Sequence, residues 1–354
     1  MTPEKIIEFQ QKLLQWYTEN ARILPWREDP SPYRVWISEI MLQQTRVETV
    51  KPYFERFIKE IPTIEDLAKL PEDRLLKLWE GLGYYSRAKN LKKAAQMIVE
   101  KFHGQLPSDS KSLQSLPGIG PYTSGAISSI AFGQRTPAID GNVIRVMARI
   151  LAEERNVDDP KVKKNIENAL ERLLPEHSVG DFNQALMELG ATLCIPKGMP
   201  KCLQCPVNSF CKGYYQDMAQ YLPRKSPKKK RKIEQKTIEV MQWEDKFALR
   251  KRPEEGLLSN LWEFPQREGH LSLEQCKKEM KKHNIEARRI ISLPPSKHIF
   301  SHIEWHMIGY HILLEECPKN IELTWVTPGE IREKYSLPSA FKAYYAFIEL
   351  ISGE

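Results

Sequence analysis

Between residue 4 and about residue 190, apolar side chains return at three- and four-residue steps. Ile6/Phe9/Leu13/Trp16, Trp36/Ile40, Leu75/Leu78, Leu91/Ala95/Ile98 and Phe182/Leu186/Leu189 share this spacing, which stacks them on one face of a helix. Pro62, Pro71, Gly81-Leu82-Gly83, Pro107, Pro117 and Pro137 interrupt it and predict short connections between helices. The pattern is that of an all-α region. Further along, the period falls to two: Thr237–Met241, Phe247–Arg250 and Trp305–Ile312 alternate, as strands with one buried face do. A helical stretch follows Ser272 and another runs from Ser339, so a separate α+β domain is expected. No internal repeat stands out.

Residues 222–236 carry almost no apolar side chains and many lysines, the composition of a solvated linker. The expected boundaries are therefore 1–221, 222–236 and 237–354. The chain has 354 residues, room for two or three domains with real cores. Its 53 Lys and Arg against 46 Asp and Glu leave a net charge of +7, mild evidence for a polyanionic partner. Pro227–Lys232 has the make-up of a nuclear import signal, but a linker lying along phosphates explains it more simply. No stretch is long and apolar enough to predict a membrane span, so no membrane partner is expected. Met1-Thr2-Pro3-Glu4-Lys5 lacks the basic-then-apolar layout of a secretory signal. The expectation is a soluble monomer in a reducing, cytoplasmic compartment, with the nucleoid of a bacterium or the nucleus of a eukaryote.

Leu116-Pro117-Gly118-Ile119-Gly120-Pro121-Tyr122 separates two apolar patterns of helical period, Leu113/Leu116 and Ile127/Ile130. Gly118 and Gly120 permit a tight turn that aims amide N–H groups outward at a helix N-terminus, a grip for phosphate that reads no base. An ordinary αα-hairpin shares this outline. Asp140 stands at a second turn, Ala138-Ile139-Asp140-Gly141-Asn142, which opens the helical pattern Val143–Leu151. Cys194, Cys202, Cys205 and Cys211 are separated by seven, two and five residues, and four thiols so close in a reducing compartment bind metal. Lys197, Lys201 and Lys212 ring that loop, either for solvation or to meet phosphate. Cys276 and Cys317 read as packed or surface thiols. Glu39 lies within the apolar helical pattern Trp36/Ile40/Met41, where desolvation would let a carboxyl keep its proton near neutral pH.

The hairpin followed by Asp140 resembles the endonuclease III superfamily of DNA glycosylases. Ser38-Glu39-Ile40-Met41-Leu42-Gln43-Gln44-Thr45-Arg46-Val47, with Leu24-Pro25-Trp26-Arg27 before it and Gly81-Leu82-Gly83-Tyr84-Tyr85-Ser86-Arg87 after it, matches the MutY-type adenine DNA glycosylases. The likeness spans residues 8–215. It implies a helix-hairpin-helix fold with the hairpin at about 113–130 and an iron–sulfur loop at 194–211. That family's loop runs Cys-x6-Cys-x2-Cys-x5-Cys around a 4Fe–4S cluster. The first gap here is one residue longer, which leaves structural zinc as the weaker alternative.

Excising a purine needs an acid at N7 and a carboxylate for the positive charge that builds on the sugar. By resemblance, Glu39 protonates the adenine, and Asp140 stabilises or traps the oxocarbenium ion. Tyr122 and Asn142 orient that centre, and Arg27 and Glu188 contact the flipped adenine. Gly118 and Gly120 hold the backbone, while Leu42, Gln44, Thr45 and Tyr84 meet the opened duplex around the opposing purine. Bifunctional members carry a lysine where Tyr122 stands, so no Schiff base and no efficient strand cleavage are expected. Leu257–Pro265, after Arg250-Lys251-Arg252, resembles the Nudix-like recognition domain of these enzymes, but the Nudix catalytic box does not follow it. Binding is expected there, not pyrophosphate hydrolysis. Phe300-Ser301-His302 matches the loop that recognises 8-oxoguanine. His298, His302 and His306 are four apart, but on a loop and strand instead of a helix, which argues against a metal. The implied substrate is double-stranded DNA with adenine opposite 8-oxoguanine or guanine. Two rivals stand beside this reading: a mismatch thymine glycosylase of the same superfamily, and a catalytically silent iron–sulfur DNA-binding module.

Overall fold

The computed structural model describes residues 1–227, 230–318 and 322–353. The chain forms two compact units, one of Met1–Lys69 with Lys89–Pro227, the other of Leu70–Ala88 with Lys228–Glu354. Through residue 227 the helices are α1 (Pro3–Asn20), α2 (Pro25–Glu28), α3 (Pro32–Leu42), α4 (Val47–Glu60), α5 (Ile64–Lys69), α6 (Glu72–Leu78), α7 (Ser86–Phe102), α8 (Ser110–Gln114), α9 (Pro121–Phe132), α10 (Gly141–Leu151), α11 (Pro160–Leu173), α12 (Val179–Thr192) and α13 (Lys212–Tyr215). Prolines open α1, α2, α3, α9 and α11, where the missing N–H breaks no helical bond.

The first unit is all-helical around the apolar faces that the spacing predicts. Phe9 and Leu13 of α1, Val146 and Ile150 of α10, Ile166 and Leu170 of α11, and Phe182, Leu186 and Leu189 of α12 share one buried cluster. Two features bring the Asp140 segment against it. Gly125 of α9 is required because a Cβ there would meet the Pro137 carbonyl oxygen at 2.1 Å. Buried Asn183 of α12 accepts from the Ala138 N–H at 3.2 Å and donates to the Thr136 carbonyl at 2.9 Å. An irregular buried segment thereby keeps its backbone groups paired.

The second unit has a seven-stranded sheet made of β1 (Lys232–Trp243), β2 (Lys246–Lys251), β3 (Trp262–Glu263), β4 (Gln266–Glu268), β5 (Ala287–Ile299), β6 (Ile303–Leu314) and β7 (Thr324–Val326). The order is β3-β2-β1-β6-β5, with β4 added to β1 and β7 to β2. β1 and β6 run parallel from Lys232↔Ile303 to Gln242↔Leu313, whereas β5 and β6 form an antiparallel hairpin. Helix α14 (Leu273–Lys282), started by a Ser272–Gln275 capping box, packs Cys276 and Met280 with Met241 and Ile312. Helices α15 (Pro328–Lys334) and α16 (Lys342–Ser352) supply Ile331, Tyr344 and Ile348 to a second cluster with Ile238, Val240, Phe247 and Trp305.

Two expectations change, and one strand was not foreseen. β1 begins at Lys232, so Lys232–Lys236 are strand, not linker. Pairing with β6 satisfies the backbone, and Lys236 reaches Glu268 at 2.5 Å, so a charged stretch can enter a sheet. Lys228 and Lys229 of the basic run lie outside the described residues. Residues 70–88, read as part of the helical domain, group with the C-terminal unit. There the Ser336 hydroxyl donates to the Leu76 carbonyl, the Leu337 N–H to Glu80, and the Asn260 amide to Glu72, at 3.1, 2.6 and 2.7 Å. Strand β5 carries Pro294 and Pro295 at a register shift between Leu293 and Ser296. Those prolines break the alternation that marks a strand.

Candidate active site

A cavity of about 610 Å³ opens in the first unit. α3 brings Glu39 and Leu42 to it, and the turn after α3 brings Gln44 and Thr45. α9 brings Tyr122, the start of α10 brings Asp140 and Asn142, α2 brings Arg27, and α12 brings Glu188. Gly120 lines it as well, and Gly118 does not. Gly118 has φ +81°, and a Cβ there would meet Asn90 at 2.8 Å, so the turn needs it. Gly120 is extended at φ −94°, and nothing lies within 4 Å of its Cβ position. Its bareness leaves space above the helix start instead of relieving strain.

Glu39 is 6 % exposed. Burial pushes its pKa up to about 7, and Asp140 nearby adds to this, against the Tyr122 hydrogen bond and the Arg27 charge. The Tyr122 hydroxyl donates to Glu39 Oε2 at 2.6 Å. Asp140 caps α10: Oδ1 accepts from the Val143 N–H and Oδ2 from the Asn142 amide, both at 2.7 Å. Burial raises its pKa, opposed by those two donors and by Arg145. One cavity thus holds a carboxyl poised to carry a proton near neutrality and a carboxylate held by fixed donors, the pair of environments that divides acid from ion stabiliser. Glu188 differs from both. Burial pushes it up, but Arg22 at 2.5 Å and Arg27 at 2.9 Å outweigh that and leave it below the usual carboxylate range.

The sequence reading missed Arg22, Gln184 and Arg145. Gln184 accepts from Arg27 Nε at 3.1 Å and lines the cavity. It stands four residues before Glu188, on the same helical face, and that spacing was the available signal. Arg145 and Arg149 interrupt the buried face of α10 and were equally visible as charges among apolar positions. Arg145 Nη2 donates to Asn142 Oδ1 at 2.7 Å, and its Nε donates to the Cys194 carbonyl at 2.8 Å.

Cys194, Cys202, Cys205 and Cys211 line one small cavity, of about 30 Å³, beside Val146, Leu189 and Val207. Arg149 Nη1 donates to Cys194 Sγ at 3.2 Å. Burial pushes the Cys205 thiol up to about 12 and raises Cys202 and Cys211 as well. Among the described residues, no group of three or more His, Cys, Asp or Glu side chains is arranged to hold a metal ion. Four thiols facing one shared space are the donor set that zinc and iron–sulfur clusters both take. Lys197, Lys201 and Lys212 are exposed around the loop.

Tyr84, Phe300, Ser301 and His302 belong to the second unit. Tyr84 is 45 % exposed, so it is no core residue, and it takes the left-handed φ of +46°. Its hydroxyl lies 3.0 Å from Ser301 Oγ. Phe300 packs on Trp305 with ring centres 4.9 Å apart, and its N–H donates to the Ile303 carbonyl at 2.8 Å. That closes the β5–β6 turn with Ser301 and His302 exposed. His298 and His306 sit on β5 and β6, and His306 pairs with Glu304 at 2.8 Å.

The hairpin, its following aspartate and the cysteine loop define a base-excision glycosylase of the helix-hairpin-helix class, and the comparisons agree. The model of the HhH-GPD superfamily of base excision DNA repair proteins matches residues 37–176, and a NUDIX domain model matches residues 238–346. The adenine DNA glycosylase of Mus musculus is 34 % identical over 96 % of this chain and 78 % of its own length. That of Buchnera aphidicola (subsp. Baizongia pistaciae) is 36 % identical over 87 % of each. The chain belongs to the adenine DNA glycosylase family. A solved thermostable thymine-DNA glycosylase is similar at TM-score 0.56 and 30 % identity, over 61 % of this chain and 99 % of that one.

Proposed function

We propose that this enzyme flips adenine from double-stranded DNA where it faces 8-oxoguanine or guanine, and hydrolyses its N-glycosidic bond without cutting the strand. The observation that carries this is Glu39, buried beside Tyr122 in the same cavity as Asp140, with its pKa lifted to about 7. A stacked base is out of reach of any buried acid, so it must leave the helix, at about a few kcal/mol. Glu39 gives its proton to N7 while the C1′–N9 bond breaks and its electron pair leaves with the base. The carboxylate of Asp140, fixed by the Val143 N–H and Asn142, faces the cationic sugar and stabilises or traps it until water adds to C1′ and loses a proton. Arg27 and Glu188 hold the adenine, and Asn142 is itself held by Arg145.

No lysine lines this cavity among the described residues, which supports base release without lyase chemistry. The hairpin at Gly118–Tyr122 presents a helix start to a phosphate. Tyr84 and Gln44, both left-handed and exposed, suit insertion beside the opposing purine, with Leu42 and Thr45 half-buried behind Gln44. Ser301 and His302 present polar groups for reading 8-oxoguanine. The four cysteines would hold a 4Fe–4S cluster, which stiffens the 194–211 loop. The work belongs wherever genomic DNA lies, in the nucleoid or the nucleus.

The test is single-turnover base release from duplexes with adenine opposite 8-oxoguanine, guanine or thymine, with and without alkali. Adenine release with breaks only after alkali is expected. Breaks without alkali would mean that another amine acts as a lyase. Release of thymine instead would support the thymine glycosylase reading, and release of nothing the binding module.

A further inference from the structure

Side-chain hydrogen bonds join α3 and the residue that ends it to α9, and the function proposed above uses one of them. Glu39 meets Tyr122, and four residues further along α3 the Gln43 amide donates to Thr123 Oγ1 at 3.2 Å. Residues four apart on a helix share a face, so adjacent residues of α9 take part in both bonds, Tyr122 as donor and Thr123 as acceptor. Thr123 is 2 % exposed, which places this bond in the wall of the cavity. Gln43 caps the end of α3, and its carbonyl also accepts from the Thr45 hydroxyl at 3.4 Å. Directly after it, Gln44 takes the left-handed φ of +57°, a conformation that a residue with a Cβ holds only where its surroundings impose it. Gln43 is therefore the last anchored point between the acid and the residue held ready for insertion.

We propose that Gln43 and Thr123 are positioning residues whose bond couples insertion at Gln44 to the placement of Glu39. Insertion pulls on the end of α3. The bond transmits that pull to α9 at Thr123, one residue from Tyr122, so the acid is aligned only when the base opposite has been displaced. The inference rests on Glu39 being the acid. The charged and titratable groups facing Glu39 are Tyr122 from α9, Asp140 before α10 and Arg27 from α2. Neither Gln43 nor Thr123 titrates, so a change in the pH profile on removing their bond reports Glu39's surroundings.

Thr123→Val keeps shape and removes the acceptor. In the full chain it is expected to slow single-turnover adenine release about tenfold and to move the alkaline limb of the pH profile to lower pH. Duplex affinity should stay unchanged and Thr123→Ser should restore both readouts. Gln43→Met, at a half-buried position, is the second variant, and combined with Thr123→Val it should add nothing further. An unaltered rate and pH profile, additive effects, or equal loss of rate and affinity would overturn the coupling. Glu39→Gln in the same assay separates the two claims: if that variant stays active, the acid assignment fails, whatever Thr123→Val does.

Discussion

Two buried glutamates, one in each unit, show what burial alone leaves undecided. Glu263 in β3 is 1 % exposed and is gripped by Arg252, by Arg250 at 2.7 Å and by the Gln266 amide at 2.5 Å. Its charge is used up in joining β2 to β3. Glu39 in α3 is almost as buried, but its close partner is a neutral phenol. Desolvation is the largest influence on it, and its pKa rises to about 7. Glu188 lies between these cases, in the same cavity as Glu39 but held by two arginines. A buried carboxyl becomes a proton donor when its neighbours decline to neutralise it, and a structural element when they do so.

Three substitutions test that contrast. The largest effect is expected from Asp140→Asn, which keeps the cap's shape but removes the charge proposed to face the cationic sugar. Base release should fall by about a thousandfold or more, with duplex affinity nearly intact. Equal loss of both would show that Asp140 serves folding only. Glu39→Gln should slow release by about 10² to 10³. The wild-type rate should fall as pH rises through about 7, because the acid must be protonated, and Glu39→Gln should lose that limb. Stability follows the same group with a definite sign. The folded pKa lies above the unfolded value of 4.5, so the protonated carboxyl favours the fold at low pH. That contribution drains away between about pH 4.5 and 7, by roughly 3 kcal/mol. Denaturation at pH 5 and pH 8 should show the variant gaining on wild type at the higher pH, and a constant difference would refute the raised pKa. The smallest effect is expected from Glu263→Gln. It leaves two arginines short of a counter-charge and should destabilise the second unit by roughly 2 to 3 kcal/mol, discounted because Arg250 is half exposed. Its single-turnover rate on adenine opposite 8-oxoguanine should barely change.

Much of the candidate site was legible because the residue types that compose it stand in local patterns. A carboxylate inside an apolar helical stretch, glycines between two helical patterns, and four cysteines within eighteen residues of one another (194–211) are visible one window at a time. Arg22 was not legible, since nothing near it announces that Glu188 lies within reach; that ion pair joins residues 166 positions apart. Gln43 stood inside a quoted motif, but its partner Thr123 lies 80 residues away. The grouping of one segment with the C-terminal unit was hidden for a similar reason. Residues 70–88 have helical periodicity like their neighbours, and only the hydrogen bonds at Leu76, Glu80 and Glu72 assign them to the C-terminal unit.

By itself the sequence determined the helical and strand periods, the turn at Gly118, the donor set at 194–211 and the presence of two candidate carboxyls. Those features depend on steric and hydrophobic rules that act within a few residues. The tertiary structure decided which carboxyl keeps its proton, which is tied down by arginine, and which residues stand behind the acid. Electrostatic state depends on desolvation and on partners brought from distant positions, and neither exists until the chain has folded.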